Sequence, residues 1–250
     1  MSDFTRIDTL LRQSANDATH SPATSDTRND VAVFARYLSE VENLVVVVSD
    51  MVANTSTIYT GRFAAIIGLE SYTSEDSIWE KAILSLMPEP ERDEKFRAEL
   101  RFFHYLRHLP RQQRRDYYMA ACLRFVTPRG VAVDVLHRMY YIYEPDGETV
   151  RYAVCLYGPL TPGFAGRSLA VNSVTGLTEE LTSSTDAKIL SRRELQVLRL
   201  IDSGKKTAEI AAILSVSPHT VSRHRQQIIT RLRVTNSVEA CSLAKSLHLL

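Results

Sequence analysis

The sequence predicts an α+β fold in two parts, an N-terminal mixed sheet with helices and a C-terminal bundle that is all helix. Two observations carry this prediction. β-branched and alternating apolar runs, typical of strands, fall between residues 44 and 157, whereas apolar positions at helical spacing, bounded by capping residues, follow residue 190. A chain of 250 residues is long enough for two separate cores.

The N-terminal part begins with a polar segment over residues 1–29, which predicts a flexible stretch. Pro88 and Pro110 stop two of the helices that follow, and Pro145-Asp146-Gly147 predicts a turn between the last two strands. The predicted elements, in order, are a helix at 31–43, strands at 44–49 and 56–59, helices at 63–69, 78–87 and 91–109, and strands at 117–126, 130–143 and 149–157.

This order of two strands, short helices and three antiparallel strands resembles the PAS domains and covers residues 30–160. The stretch TSTIYTGRFAAIIGLE is similar to the second strand and first small helix of such domains. The resemblance implies a domain that senses a small-molecule signal, binds a protein partner or dimerises. Residues 161–187 are then a connector, in which a β-hairpin is expected around Thr175-Gly176.

The C-terminal part has a boundary signal at each end of its helices. Ser191 and Glu194 form an S-x-x-E capping box, and Gly204 ends the first helix. Thr207 is expected to cap a second helix, and Ser217 a third that begins at Pro218. In the third helix the inward positions are Val221, Ile228 and Leu232, and the outward positions are Ser222, Arg223, Gln226 and Thr230.

Residues 188–250 resemble the LuxR-type helix-turn-helix of bacterial transcription regulators. The sequence departs from the family pattern at Ser222, where a Lys is usual, at Gln227, where an Asn is usual, and in lacking a Gly near the end. The matching residues are Leu190, Ser191, Arg193, Glu194, Val197, Leu198, Gly204, Glu209-Ile210-Ala211, Leu214 to Ser217, Thr220, Val221 and His224.

We therefore expect double-stranded DNA as a partner, with the third helix in the major groove. Ser222, Arg223 and Gln226 are predicted to read bases. The predicted phosphate contacts are Lys206, Thr207, Ser217, His219, Thr220 and Arg225. The family also implies a homodimer, with Val238, Cys241 and Ala244 of a last helix over 237–249 at the interface.

The charge distribution agrees with this division. Residues 186–250 hold eleven Lys and Arg against five Asp and Glu, a net charge of +6. The whole chain has a net charge of +1, so residues 1–185 carry −5. A basic domain beside an acidic one is typical of proteins that bind a polyanion through one domain.

Other candidate sites are weaker. His104 and His108 lie four residues apart on a predicted helix, but no further ligand completes a metal or haem site, so a solvated helix face is favoured. Tyr140, Tyr141 and Tyr143 alternate on a strand and are expected to pack, as is Trp79. We predict no cofactor, no metal and no enzymatic activity, because no nucleophile–base pair or phosphate loop is present.

Three scattered cysteines, Cys122, Cys155 and Cys241, and the lack of an export signal predict a cytoplasmic protein with reduced thiols. No apolar run has the roughly 20 residues that a membrane span needs. The function predicted is a transcription regulator whose PAS-like domain controls its helix-turn-helix. The alternatives are a response regulator with a degenerate receiver domain that uses Asp50, an enzyme with a DNA-binding tail, and a protein-interaction adaptor.

Overall fold

The computed structural model describes residues 25–147, 149–164, 168–182, 190–232, 234, 236–246 and 249–250. These residues divide into two compact units, one ending at Glu180 and one beginning at Leu181. Of the segment predicted to be flexible, residues 1–24 lie outside the described residues, and residues 25–29 belong to the first helix. No described helix is long and apolar enough to cross a membrane.

The first unit contains a single sheet with helices on its faces. Its helices are α1 (Ser25–Val41), α2 (Phe63–Ile67), α3 (Lys81–Ser85) and α4 (Glu89–His108), followed by a 3₁₀ helix at Arg111–Asp116. Its strands are β1 (Val45–Asp50), β2 (Thr55–Thr60), β3 (Ser74–Glu75), β4 (Tyr117–Val126), β5 (Ala132–Tyr143), β6 (Val150–Pro159), β7 (Leu169–Asn172) and β8 (Thr178–Glu180).

The strand order is β3-β2-β1-β6-β5-β4-β7-β8, and every neighbouring pair is antiparallel. The expected mixed sheet is therefore corrected to an antiparallel one, because short turns join most neighbouring strands and leave no room for a parallel crossover. This order also removes the receiver-domain alternative, which needs alternating strands and helices around a parallel sheet. Asp50, the residue that the receiver-domain alternative would use, accepts a hydrogen bond from the buried Arg151 side chain at 3.0 Å.

The hairpin expected between residues 161 and 187 is present as β7 and β8. β7 pairs with β4, with Val171 opposite Tyr118, so the hairpin extends the sheet. Because the hairpin is hydrogen-bonded to the edge of the sheet, it belongs to the first unit. We had expected residues 161–187 to be a connector between the two units.

The sheet buries apolar residues on both faces. β1 is buried at every position, which explains its unbroken β-branched run. Helix α1 packs on one face through Ala35, against Val46, Val154 and Leu156. On the opposite face, Tyr141 of β5 stacks on Phe102 of α4, with ring centroids 5.8 Å apart.

Several expectations for this unit need correction. The strand predicted from residue 130 begins at Ala132, and Val131 before it is 57% exposed. The buried positions of β5 begin at Val135 and continue through His137, Met139 and Tyr141. His104 is 1% exposed, so it does not lie on a solvated helix face. The helix predicted from Ile78 begins at Lys81, because Trp79 lies in a bend before it and packs edge-on against Phe96.

Gly61 provides a stability test of the packing between α1 and β2. Its amide donates to the Leu44 carbonyl at 2.7 Å, and a Cβ there would overlap the backbone carbonyl oxygen of Ser39. We expect Gly61→Ala to lower the free energy of unfolding by about 1–3 kcal/mol, since backbone atoms would have to move. Urea unfolding of the full chain measures the change.

Gly158→Ala is the matched control. A Cβ at Gly158 would meet only Cδ2 of Leu44, the end of a side chain that can rotate. Its loss should be the smaller of the two. A loss equal to or larger than that of Gly61→Ala would contradict the packing described.

Candidate nucleic-acid interface

The second unit is a bundle of four helices in its described part: α5 (Arg192–Asp202), α6 (Thr207–Leu214), α7 (Pro218–Leu232) and α8 (Ser237–Ser246). Their apolar stripes meet in one core. The core residues, each below a tenth exposed, are Leu190, Val197, Leu198, Ile210, Ala211, Val221, Ile228, Leu232, Val234, Ala240, Cys241, Ala244 and Leu249.

The caps fix where each helix begins. The backbone amide of Ser191 donates to Glu194 Oε2 at 2.7 Å, and Ser191 Oγ accepts from the Glu194 amide, so the predicted capping box forms. Ser217 caps α7 as predicted, with its Oγ accepting from the Thr220 amide at 3.1 Å. Thr207 does not cap α6. The helix begins at Thr207 itself, and Glu209 accepts from the Lys206 amide at 2.8 Å.

The turn between α6 and α7 has a left-handed residue at Ser215, with φ of 52°. The amide of Val216 returns to the Ala211 carbonyl at 3.0 Å and closes the end of α6. Arg193 secures the same end from α5, since its Nη2 donates to the Leu214 carbonyl at 2.8 Å. The end of α6, just before α7 begins, is thus closed by its own turn and by a bond from α5.

Helix α7 has one buried and one exposed face. Val221, Ile228 and Leu232 are at most 1% exposed. At 3.6 residues per turn, Ser222, Arg223 and Gln226 fall within an arc of about 100° on the opposite side, and all three are exposed. Their side chains make no hydrogen bond or ion pair to any residue that the structure describes. A free polar face of this kind is available to base edges in a groove.

The predicted phosphate contacts lie around that face. Lys206, Ser217 and His219 are exposed, and Thr220 is half-buried. Lys206 immediately precedes α6, and the other three lie at or beside the start of α7. The first amides of a helix have no partner within it, so two helix N-termini offer donors to an anion here.

Arg225 is on the flank of α7, about 60° from Ser222 towards the buried stripe. Its Nη1 donates to Thr207 Oγ1 at 2.9 Å and its Nε to Ser237 Oγ at 3.4 Å. Arg225 therefore links the first residues of α6 and α8. Sequence reasoning missed this role, because its partners are 18 and 12 residues away.

Glu194 has a second role that its capping signature does not show. It is 1% exposed, and Oε2 accepts from the backbone and hydroxyl of Ser191 and from Arg231 Nη1 at 2.9 Å. One buried carboxylate thus joins the start of α5 to the last turn of α7. The S-x-x-E pattern and the family resemblance both marked Glu194 in the sequence, but neither indicated this second contact, and nothing marked Arg231.

The dimer contacts predicted for the last helix need correction. Cys241 and Ala244 are 7% and 0% exposed and belong to the core of this unit. Cys241 Sγ is 3.9 Å from the Leu198 carbonyl, and burial raises the pKa of its thiol. Val238 alone of the three is open to a partner, at 80% exposed.

The family model described as bacterial regulatory proteins, luxR family, matches residues 188–244. The oxygen regulatory protein NreC of Staphylococcus epidermidis is 42% identical over 74 residues, which is 29% of this chain and 34% of NreC. The transcriptional activator protein EsaR of Pantoea stewartii is 40% identical over 70 residues, 28% of each chain. This chain therefore spans about a third of the length of these relatives.

Solved structures also show partial likeness. Vibrio cholerae VqmA has a TM-score of 0.32 at 12% identity, with 88% of both chains covered. Escherichia coli SdiA has a TM-score of 0.30 at 15% identity, with 99% of both chains covered. Scores of this size carry no argument about the first unit. The match over residues 188–244 and its helix geometry show that the C-terminal unit is a LuxR-type helix-turn-helix domain.

Proposed function

We propose that this chain is a sequence-specific DNA-binding transcription regulator, without enzymatic activity, located in the cytoplasm. The observation that carries the proposal is the exposed polar face of α7, formed by Ser222, Arg223 and Gln226, whose side chains bond to no residue in the described part of the chain. It lies opposite a stripe that is at most 1% exposed, so the helix is held by its own domain while this face stays free.

In the proposed mechanism the domain first docks on phosphates. Lys206, Thr207, Ser217, His219 and Thr220 supply cations, hydroxyls and helix N-termini to the DNA backbone, and Arg225 supplies a further cation at the flank. This step is independent of sequence and depends on salt. Arg223 then pairs with a guanine, and Ser222 and Gln226 contact neighbouring bases.

We further propose that residues 30–160 are a PAS-like domain that senses a small-molecule signal or binds a partner. The support is topological: β1 and β2 form one end of the five-strand set β2-β1-β6-β5-β4, and the antiparallel run β4, β5, β6 forms the other. Helices α2, α3 and α4 lie in the chain between these two groups. In this proposal residues 188–250 remain the DNA-binding domain.

A homodimer completes the proposal, because a second copy doubles the contacts to a twofold operator. Helix α1 has apolar side chains available for such an interface: Phe34 is 58%, Tyr37 56% and Val41 78% exposed. Val238 of α8 offers another apolar contact at 80% exposure. Exposed large apolar side chains grouped on one element mark interaction surfaces.

Arg223→Ala tests base readout. We expect it to weaken binding to the selected operator by about 1–3 kcal/mol, roughly 5- to 150-fold, and to relax preference at one base pair. Fluorescence anisotropy with operator and scrambled duplexes measures both effects. Arg199→Ala is the matched control, because it removes the same charge from α5 and leaves the α7 face intact. Equal losses on both duplexes would sink the base-reading role.

Arg225→Ala tests backbone contact. Removing one phosphate contact should weaken binding to every sequence and lower the slope of log K against log salt by about one unit. Thr207→Val removes an uncharged hydroxyl that accepts from Arg225 and is itself a proposed phosphate contact, so it should weaken binding but leave the salt slope in place. A changed base preference in Arg225→Ala, or an unchanged salt slope, would show that Arg225 does not neutralise a phosphate.

A further inference from the structure

Three residues that are far apart in the sequence meet in the interior of the first unit. Glu99 of α4, His137 of β5 and Cys155 of β6 each present one ligand atom, and these atoms all lie within 4.8 Å of one another. The side chains are deeply buried, since the residues are 8%, 0% and 4% exposed. The register of the sheet places them together, because Cys155 is opposite Met139, and His137 is next but one to Met139 on the same face.

His137 lacks the partners that a buried imidazole normally has. Neither ring nitrogen has a hydrogen-bond partner among the residues that the structure describes, although Glu99 Oε1 lies 3.9 Å from Nε2. Its ring is stacked on Tyr157, with centroids 4.7 Å apart. Burying an unpaired polar group is costly, so each such group in a native core calls for an explanation.

The chemistry of the three side chains is that of a ligand set. The imidazole of His137 offers a ring nitrogen within 4.8 Å of a carboxylate oxygen of Glu99 and of the Cys155 sulfur. Thiolate sulfur, imidazole nitrogen and carboxylate oxygen are the three donor types found at zinc sites. Oxygen-only cations such as Mg²⁺ and Ca²⁺ do not favour a site that contains sulfur and nitrogen.

We propose that Glu99, His137 and Cys155 bind a divalent transition-metal ion of the zinc class. Three ligands about 2.0–2.3 Å from an ion lie roughly 3.3–3.8 Å apart, so the side chains close by about 1 Å when it binds. A cavity of about 40 Å³ lined by Glu99 and Cys155 is large enough for one water molecule as a fourth ligand.

Lys95 is the competitor for this site. Its Nζ donates to Glu99 Oε1 at 2.6 Å and is 3.7 Å from Glu80 Oε2. The two carboxylates and the ammonium give the cluster a charge of −1. A divalent ion that displaces the Cys155 proton brings the total to zero, so the ion balances a buried charge that Lys95 alone does not. When the ion binds, the hydrogen bond from Lys95 Nζ to Glu99 Oε1 breaks and Lys95 stays paired with Glu80.

The test uses the full-length protein stripped with a chelator and titrated with Co²⁺. We expect one equivalent per chain, with the absorption of a thiolate–Co²⁺ bond, and its loss when Zn²⁺ is added in excess. Cys155→Ser should abolish the thiolate band. Cys122→Ser is the control, since Cys122 is a half-buried cysteine on β4 of the same sheet and belongs to no candidate site.

Lys95→Met provides a second readout that does not depend on losing a ligand. Removing the competing ammonium should tighten Co²⁺ binding by about 10-fold, because a like charge a few ångströms away disfavours the bound cation. A purely structural lysine would give weaker binding or none. Circular dichroism melting of each variant verifies that it is folded. A wild-type protein without a thiolate band, a Cys155→Ser variant with wild-type affinity, or a Lys95→Met variant that binds no more tightly would overturn the proposal.

Discussion

Burial of one stripe of α7 is the constraint on which the candidate interface depends. Val221, Ile228 and Leu232 recur at helical spacing and are sealed in the core of the second unit. Their burial sets the rotation of α7 about its own axis, and that rotation turns Ser222, Arg223 and Gln226 outward. Rotating the helix by one residue position, about 100°, would take this polar face out of reach of a groove. The apolar residues therefore determine which polar residues lie on the exposed face that we propose reads bases.

Polar bonds then fix the position of α7 along and across the bundle. Glu194 holds Arg231 near its C-terminal end, and Arg225 holds Thr207 near its middle. Arg193 secures the end of α6 just before the turn. Such bonds, each worth about 1.5–3 kcal/mol when a charged group takes part, fix the position of a helix more closely than a small apolar core does alone. A base-reading helix needs that definition, because a bidentate pair tolerates little displacement.

Local signals in the sequence predicted much of this architecture. Ser191, Glu194 and Ser217 carry their capping chemistry within three residues, so sequence alone placed the starts of α5 and α7. The β-branched run of β1 and the alternation on β5 likewise predicted strands. The local rules were less accurate where tertiary packing intervenes, since Trp79 lies outside the observed helix and packs on Phe96. The interface that the family resemblance implied for Cys241 was also wrong, because this side chain lies in the core of its own unit.

The features that sequence reasoning missed all depend on long-range approach. Arg225 contacts Thr207 of the preceding helix. Glu99, His137 and Cys155 come from one helix and two strands, which bring them together only in the folded unit. No spacing rule marks such residues, since their separation along the chain reflects topology. The lone histidine on β5 could have been noted as a polar residue on an apolar face. His137 alone could not have predicted a contact with Glu99, because that contact depends on where α4 packs on the sheet.

Whether the exposed face of α7 reads bases can be measured by selecting binding sites from random duplexes with the full-length protein. A variant with alanine at Ser222, Arg223 and Gln226 is selected in parallel. We expect the wild-type protein to enrich one motif, with two inverted half-sites about one helical turn apart. The variant should retain salt-dependent binding to DNA but enrich no motif. Enrichment of the same motif by both proteins would contradict it, because base readout would then lie outside the exposed face of α7.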